Sequence, residues 1–315
     1  MLSSIPFEIP VHMLMRFNAG ELIRYGTILK DVATGKIVGH VQETGVAQSL
    51  LSSALSGLPT PVSMVSDLVN VGSGIYTARQ ISHLKVMMET LQSLQIATLG
   101  VSLVGVGVTV AGFVYMHKRF NALDGRINQV IESIQRGFED QRKADLRVQL
   151  ARTRSFLDRA QHARQLNAPL SEYMNVAAGL AEQAAFFEGE IAFLSSRDGT
   201  ISLPVFWQLT QTLILCNGLR IDCEVRTNEL DHALAVTDSV ATSYRNLFNP
   251  LTPVSFQCGV EEGLAAVKVL RDVTDAAASK PYLIDYLRTR RISGDGYLDA
   301  LENEKESPLL FLREV

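Results

Sequence analysis

Between Glu89 and Lys118 the chain contains no Asp, Glu, Lys or Arg. The apolar stretch Thr90–Met116 inside that gap reads as a helix roughly 40 Å long, enough to cross a hydrocarbon core of about 30 Å with some tilt. His117, Lys118 and Arg119 follow it directly, as an interfacial anchor would. Any fold for this chain must place that helix in lipid or cover it with other helices. No second run of this kind exists, so the chain does not read as a polytopic membrane protein. Apolar residues make up 47% of the 315 residues and charged residues 20%. The charged share lies below the usual level of about 25%, which fits a mainly helical protein with one greasy segment.

The seam through this segment changes chemistry along its length. Ile81, Leu84, Met88 and Leu91 recur at alternating three- and four-residue steps. The same spacing then lands on Gln95, Thr98, Ser102, Gly105, Thr109 and Gly112. After a four-residue stutter at Met116–Phe120 it resumes as Leu123, Ile127, Val130 and Ile134. The opposite face of the middle part carries Leu99, Leu103, Val106, Val110 and Phe113. In water, apolar seam residues drive helix association. In lipid that drive vanishes, and small residues that let backbones approach replace it. The pattern therefore suits a helix with its small, polar face toward partner helices and its Leu/Val face toward lipid. A buried helix in a soluble bundle, with glycines where neighbours crowd, is the alternative. Permanent and triggered insertion both fit. For a permanent span, the basic residues Lys118, Arg119 and Arg126, set against Arg79 and Lys85, place the C-terminal bundle in the cytoplasm.

The remainder reads as antiparallel long helices, a bundle or coiled coil, with a small N-terminal β-hairpin. Four units are expected: residues 1–74 (arm, hairpin and short helices), 75–166 (the long helix holding 90–116), 167–292 (helical bundle) and 293–315 (a loosely held tail). Residues 1–20 read as an irregular arm. Glu21–Leu29 and Lys36–Gln42, rich in Ile, Val, Leu and Tyr, flank the Asp31–Gly35 connector and form the hairpin. Residues 46–58 read as a short amphipathic helix stopped by Leu58-Pro59-Thr60-Pro61. The long helix ends at Asn167-Ala168-Pro169. Leu170–Ser195 is the next helix, and Pro204 opens another that runs to Phe248 with a weak point at Gly218. Val254–Ser279 is expected to stop before Pro281, leaving Tyr282–Arg291 as a separate short helix.

Several function classes are disfavoured. Net charge is −4 with both signs interspersed, and the densest basic cluster, Arg288, Arg290 and Arg291, sits near Asp285 and Asp295, so no nucleic-acid footprint exists. The cysteines Cys216, Cys223 and Cys258 form neither a disulfide framework nor a zinc pattern and read as buried reduced thiols. Glu229, Asp231 and His232 cluster, but His232 lacks a second histidine at helical spacing, which favours a solvated helix face over a metal or acid–base site. Gly105-Val106-Gly107 is not a dinucleotide loop. Ser195-Ser196 belongs to no triad spacing. Phe206 and Trp207 read as core, with a membrane interface as the other setting for such a pair. No enzymatic activity, cofactor or metal is expected. Met1–Pro10 lacks a basic start and is broken by Pro6 and Pro10, so it does not read as a signal peptide. The expected location is cytoplasmic as made and membrane-associated in the functional state.

On the Thr90–Met116 segment within a long helix, the bundle that follows and the Asp31–Gly35 hairpin, the chain resembles α-helical pore-forming toxins of the cytolysin A and haemolysin BL kind. The resemblance implies a helical protein whose apolar segment is hidden when soluble and inserted on assembly, with the lipid bilayer and further copies of itself as partners. One departure is that the apolar part reads as one continuous span, where some of those proteins insert a hairpin or tongue. The competing readings are a membrane-anchored scaffold whose C-terminal bundle recruits a protein partner, a soluble helical interaction protein with 90–116 buried, and, against the expectation of no enzymatic activity, an enzyme with a site assembled from the helices of 170–290.

Overall fold

The computed structural model describes residues 11–43, 140–196, 200–303 and 309–313. These residues form seven α-helices and four strands. The N-terminal part runs α1 (Val11–Asn18), β1 (Leu22–Tyr25), β2 (Ile28–Asp31) and β3 (Ile37–Glu43). The C-terminal part runs α2 (Asp140–His162), α3 (Pro169–Ser196), α4 (Leu203–Arg226), α5 (Leu230–Phe248), α6 (Val260–Thr289), α7 (Gly294–Asn303) and β4 (Leu309–Arg313). The protein is thus mainly helical with a small antiparallel sheet. None of the described helices is long and apolar enough to cross a membrane. Residues 90–116 and the short helix expected at 46–58 lie outside the described residues.

The sheet is larger than a hairpin. Its order is β1-β2-β3-β4, all antiparallel, so the last strand of the chain closes a sheet begun near its start. The stretch expected as one strand over 21–29 breaks at Gly26-Thr27. There a two-residue turn begins with glycine at φ +54°, as a type II′ turn requires. The Asp31–Gly35 connector behaves as expected. Asp31 Oδ1 accepts from the Thr34 backbone N–H and hydroxyl, both at 2.9 Å, and Gly35 takes φ +67°. Those two bonds, with Arg16 Nη2 at 2.8 Å from Asp31 Oδ2, hold the Asp31 carboxyl below the usual carboxylate range. Arg16 belongs to α1, so Val11–Asn18, part of the arm expected to be irregular, is a helix clamped to the hairpin. Its Met13 packs with Leu22, Leu29 and Val41 in a small core.

The other sheet face meets α6. Ser279 Oγ accepts from the Thr27 N–H at 3.0 Å and lies 2.7 Å from Thr27 Oγ1. Gly26 lies against the Asp275 carbonyl and Ser279, where a Cβ would come within 2.5 Å of Asp275 O. Lys30 Nζ sits between the rings of Tyr25 and Tyr282, 5.4 and 5.0 Å from their centroids.

In the bundle, α3 starts and ends where the sequence places it, and α4 opens with Pro204 in its first turn. Two expected breaks shift. Gly218 lies inside α4. The helix ends at Thr227-Asn228-Glu229 in a Schellman motif: Asn228 takes φ +59°, its N–H reaches Val225 O, and the Glu229 N–H reaches Glu224 O. Pro281 does not stop α6, which runs on to Thr289. A helix-interior proline costs about 3 kcal/mol, but burial of Leu283, Ile284 and Leu287 just beyond it offsets that penalty. Val254, expected to begin this helix, falls in a 3₁₀ turn before it. The tail expected to be loose forms α7, with Tyr297, Leu298 and Leu301 buried, and β4.

Two glycines separate strain from crowding. Gly26→Val should cost about 3 kcal/mol in urea unfolding, from left-handed strain plus overpacking. Gly35→Ala, with open space around it, should cost only about 1 kcal/mol.

Candidate functional site

The seam Gln95, Thr98, Ser102, Gly105, Thr109 and Gly112, the opposite face Leu99, Leu103, Val106, Val110 and Phe113, and the anchor His117, Lys118 and Arg119 all lie outside the described residues. The described fold gives the two elements that flank them. The chain leaves the sheet at Glu43, the end of β3, and re-enters the bundle at Asp140, the start of α2. Both elements are packed. β3 lies between β2 and β4, and α2 packs along α3, with Gly179 of α3 so close under the Phe156 ring that a Cβ there would displace it.

The most polar interior feature is in and around α4. Only Pro204 in this helix is exposed, and Arg220 is half-buried; every other residue is buried. α3, α5, α7 and α2 pack on it. Such a helix carries its polar side chains into the core, where each needs a partner. Asn217 Nδ2 donates to Tyr244 Oη at 3.2 Å, and Thr212 Oγ1 bonds back to Gln208 O at 2.9 Å. Burial drives the Tyr244 hydroxyl well above the usual range. Thr153 of α2 donates to Gln149 O and lies 3.4 Å from Gln183 of α3. Trp207 is buried with its ring edge-on to Phe206, which settles that pair as core. Burial pushes the Cys216 thiol up to about 12 and Cys223 well up, so both stay protonated and unreactive.

At the C-terminal end of α4 a charged cluster joins four elements. Arg226 Nε lies 3.6 Å from Asp222 Oδ2, one turn earlier, with both side chains fully buried. Arg226 Nη1 reaches Asp295 Oδ1 at 3.1 Å and Asp299 Oδ1 at 3.7 Å, both on α7. Arg164, in the 3₁₀ turn after α2, bonds Asp299 and lies 3.9 Å from Asp295. The Tyr173 hydroxyl of α3 is raised by burial, against the pull of Arg226 and Arg164. Beside the cluster the first N–H of α7, from Gly294, donates to Asn228 Oδ1 at 2.9 Å, and Gly294 sits flush against the Val225 backbone. Two guanidinium groups thus face three carboxylates. This arrangement offsets most of the carboxylate charge and fixes α7 in place.

The other candidates resolve as structural. His232 Nδ1 lies 2.9 Å from Glu224 Oε2, Asp231 accepts from Arg288 at 2.9 Å, and Glu229 contributes its backbone to the α4 terminus. No group of three potential metal ligands occurs among the described residues. Arg288 also bonds Asp285 at 2.7 Å, and the Arg290 guanidinium lies over the Tyr286 ring, so the basic cluster is tied to neighbours. The hydroxyls of Ser195 and Ser196 bond back to Ile191 O and Phe193 O in their own helix. Sequence reading missed the Arg226 cluster, although Asp222 and Arg226, an i,i+4 pair of opposite charge on one helix, were its available signal. The chain matches no protein-family model, no curated protein and no solved structure.

Arg226→Ala should cost about 3–5 kcal/mol in denaturant unfolding, because Asp222 is left buried without its cation. Asp295→Asn, at a half-exposed rim, should cost at most about 1 kcal/mol. Thiol titration with an aromatic disulfide should label Cys258 alone in the native protein and all three cysteines after denaturation.

Proposed function

We propose that this protein is a membrane-acting helical effector that brings residues 90–116 to a bilayer and permeabilises it by self-association through the small-residue face. The observation that carries this reading is the charge-free interval between Glu89 and Lys118, closed by a basic anchor. The bundle's buried charges face one another, Cys216 and Cys223 are buried, and Ser195 and Ser196 bond within their own helix. The placement of the interval supports the reading as well. It belongs to a segment, 44–139, flanked by a strand and a helix that are both packed into the fold, so a bilayer-seeking stretch would remain tied to a folded body at both ends.

On this reading the seam residues Gln95, Thr98, Ser102, Gly105, Thr109 and Gly112 face other copies, and Leu99, Leu103, Val106, Val110 and Phe113 face lipid. The mechanism is that implied by the likeness to cytolysin A-type toxins: an apolar helix exchanged from protein contacts to lipid contacts. The exchange is physically cheap for a helix, because its backbone hydrogen bonds are satisfied internally in either setting.

The wild-type protein should co-sediment with liposomes and release an encapsulated dye. Gly105→Leu and Gly112→Leu should still bind but lose release by roughly tenfold or more, since close helix approach depends on small residues. Recovery wholly in the soluble fraction, with no liposome binding, would overturn the membrane reading. Stable binding with no leakage in the wild type would replace the pore with an anchored scaffold.

A further inference from the structure

Four large apolar side chains meet more solvent than any other among the described residues: Met15 at 83%, Val254 at 77%, Val260 at 76% and Leu264 at 61%. Three of them fall in the single stretch 254–264, where α6 begins. A lone exposed valine or leucine is ordinary on a protein surface. Three gathered on one small surface point to a contact.

The local fold holds them outward. Phe256 is buried against the Phe206 ring of α4, their centroids 5.2 Å apart, and anchors the connection between α5 and α6. The 3₁₀ turn Pro253–Ser255 is closed by the Thr252 N–H, which donates to Ser255 Oγ at 3.0 Å. Gly263 of α6 lies flush against the Pro253 carbonyl, so this turn is seated on the first turns of the helix. Val254 is thus presented by a closed turn beside α6.

Along α6 itself, at 100° per residue, Val260, Leu264 and Arg271 fall within about 40° of arc, and Glu261 and Lys268 form one border of that stripe. All five are exposed, while Ala266, Leu270 and Val273 on the other side are buried in the bundle. The stripe carries an acid at its start and bases further on. Two copies laid parallel would set Glu261 against Glu261 and Lys268 against Lys268. Two copies laid antiparallel about a two-fold axis near Leu264 set each Glu261 against the partner's Lys268, because Leu264 lies midway between the two. The pairing then occurs twice, and Leu264 meets its own copy with Val260 beside it. Such self-complementarity is what a closed two-fold dimer requires.

We propose that the face made by Val254, Val260 and Leu264 is the interface of a homodimer in solution, with two copies of α6 crossing antiparallel, Leu264 at the axis and Glu261 opposite the partner's Lys268. This surface is separate from the seam at 95–112, and the dimer does not depend on the membrane reading. Three aliphatic side chains and two ion pairs at the rim fall short of the roughly 800 Å² per partner of a standard interface. Rim charges select register more than they add affinity. The dimer is therefore weak and concentration-dependent.

Sedimentation velocity of the full-length protein, from low to high micromolar concentration, should show a monomer passing to a dimer. Leu264→Asp should weaken association about tenfold or more, by setting two carboxylates against each other at the axis. Glu261→Lys and Lys268→Glu should each weaken it. Mixing these two single variants should give a heterodimer, and Glu261→Lys/Lys268→Glu in one chain should restore self-association. Leu264→Cys in a Cys258→Ser background should oxidise to a covalent dimer, because only a residue at the axis meets itself. Every substituted α6 side chain is exposed, so the core is left intact.

A monomer at every concentration overturns the proposal. A dimer that persists in Leu264→Asp and in both charge reversals uses another surface and overturns it as well. So does a Leu264→Asp variant of unchanged mass that loses liposome co-sedimentation, since the face would then meet lipid. If the dimer behaves as expected but the protein never touches liposomes, the dimer stands and the membrane reading falls. If the protein is monomeric in solution and leaks dye from liposomes, the membrane reading stands and the dimer falls.

Discussion

A helix with almost no solvent face sets the terms for everything around it. Along α4, Leu203 to Arg226, the apolar residues need neighbours on nearly every side, and the polar ones need bonding partners from those same neighbours. The placement of Tyr244 on α5, whose hydroxyl accepts from Asn217, follows from that demand. So does the position of α7. A fully buried arginine at the end of α4 is tolerable only with carboxylates at hand. Asp222 supplies one from the same helix and α7 brings two more. The chain after α6 is drawn back across the end of α4 by an electrostatic requirement as much as by Leu298 and Leu301.

Legibility in the sequence followed the range of the interaction. Where a residue acts on its own backbone, its effect was readable: Pro169 and Pro204 open helices, Asn249-Pro250 closes one, and Asp31–Gly35 turns a hairpin. Where the outcome depends on distant packing, local rules misled. Pro281 should stop a helix, but the apolar side chains beyond it are buried and α6 continues. Gly218 is the weaker helix former, but Asn228, able to adopt the left-handed conformation, ends the helix. The final strand was unreadable for a different reason: Leu309–Arg313 is too short to announce its partner, and that partner lies at the other end of the chain. The charged cluster was half-readable. The Asp222/Arg226 spacing was in view, but the contributions of Arg164, Asp295 and Asp299 come from tertiary structure alone.

The functional reading draws on two parts of one chain with opposite character. The described body is packed, internally compensated and devoid of a membrane-length apolar helix. The interval between Glu89 and Lys118 is apolar and uncharged, and it is the feature that points to a bilayer. A protein that combines the two faces a conflict, since a stretch that favours lipid also favours aggregation in water. The pore-forming reading resolves this conflict by holding the stretch until a membrane is present. The sheet receives the chain just before residue 44 and is tied to α6 through Thr27 and Ser279.

The pairing of β3 with β4 also has a history in time. Glu43 and Leu309 are neighbours in the sheet but about 270 residues apart in the chain, and a ribosome adding about 5–20 residues per second needs on the order of tens of seconds to cover that distance. Throughout that interval the outer edge of β3 has been made and its proper neighbour has not. An open strand edge recruits other strands, and on a crowded message the nearest ones belong to the preceding copy. Exchange of β4 between successive nascent copies is therefore the characteristic hazard of making this protein, and slower synthesis lengthens the exposure.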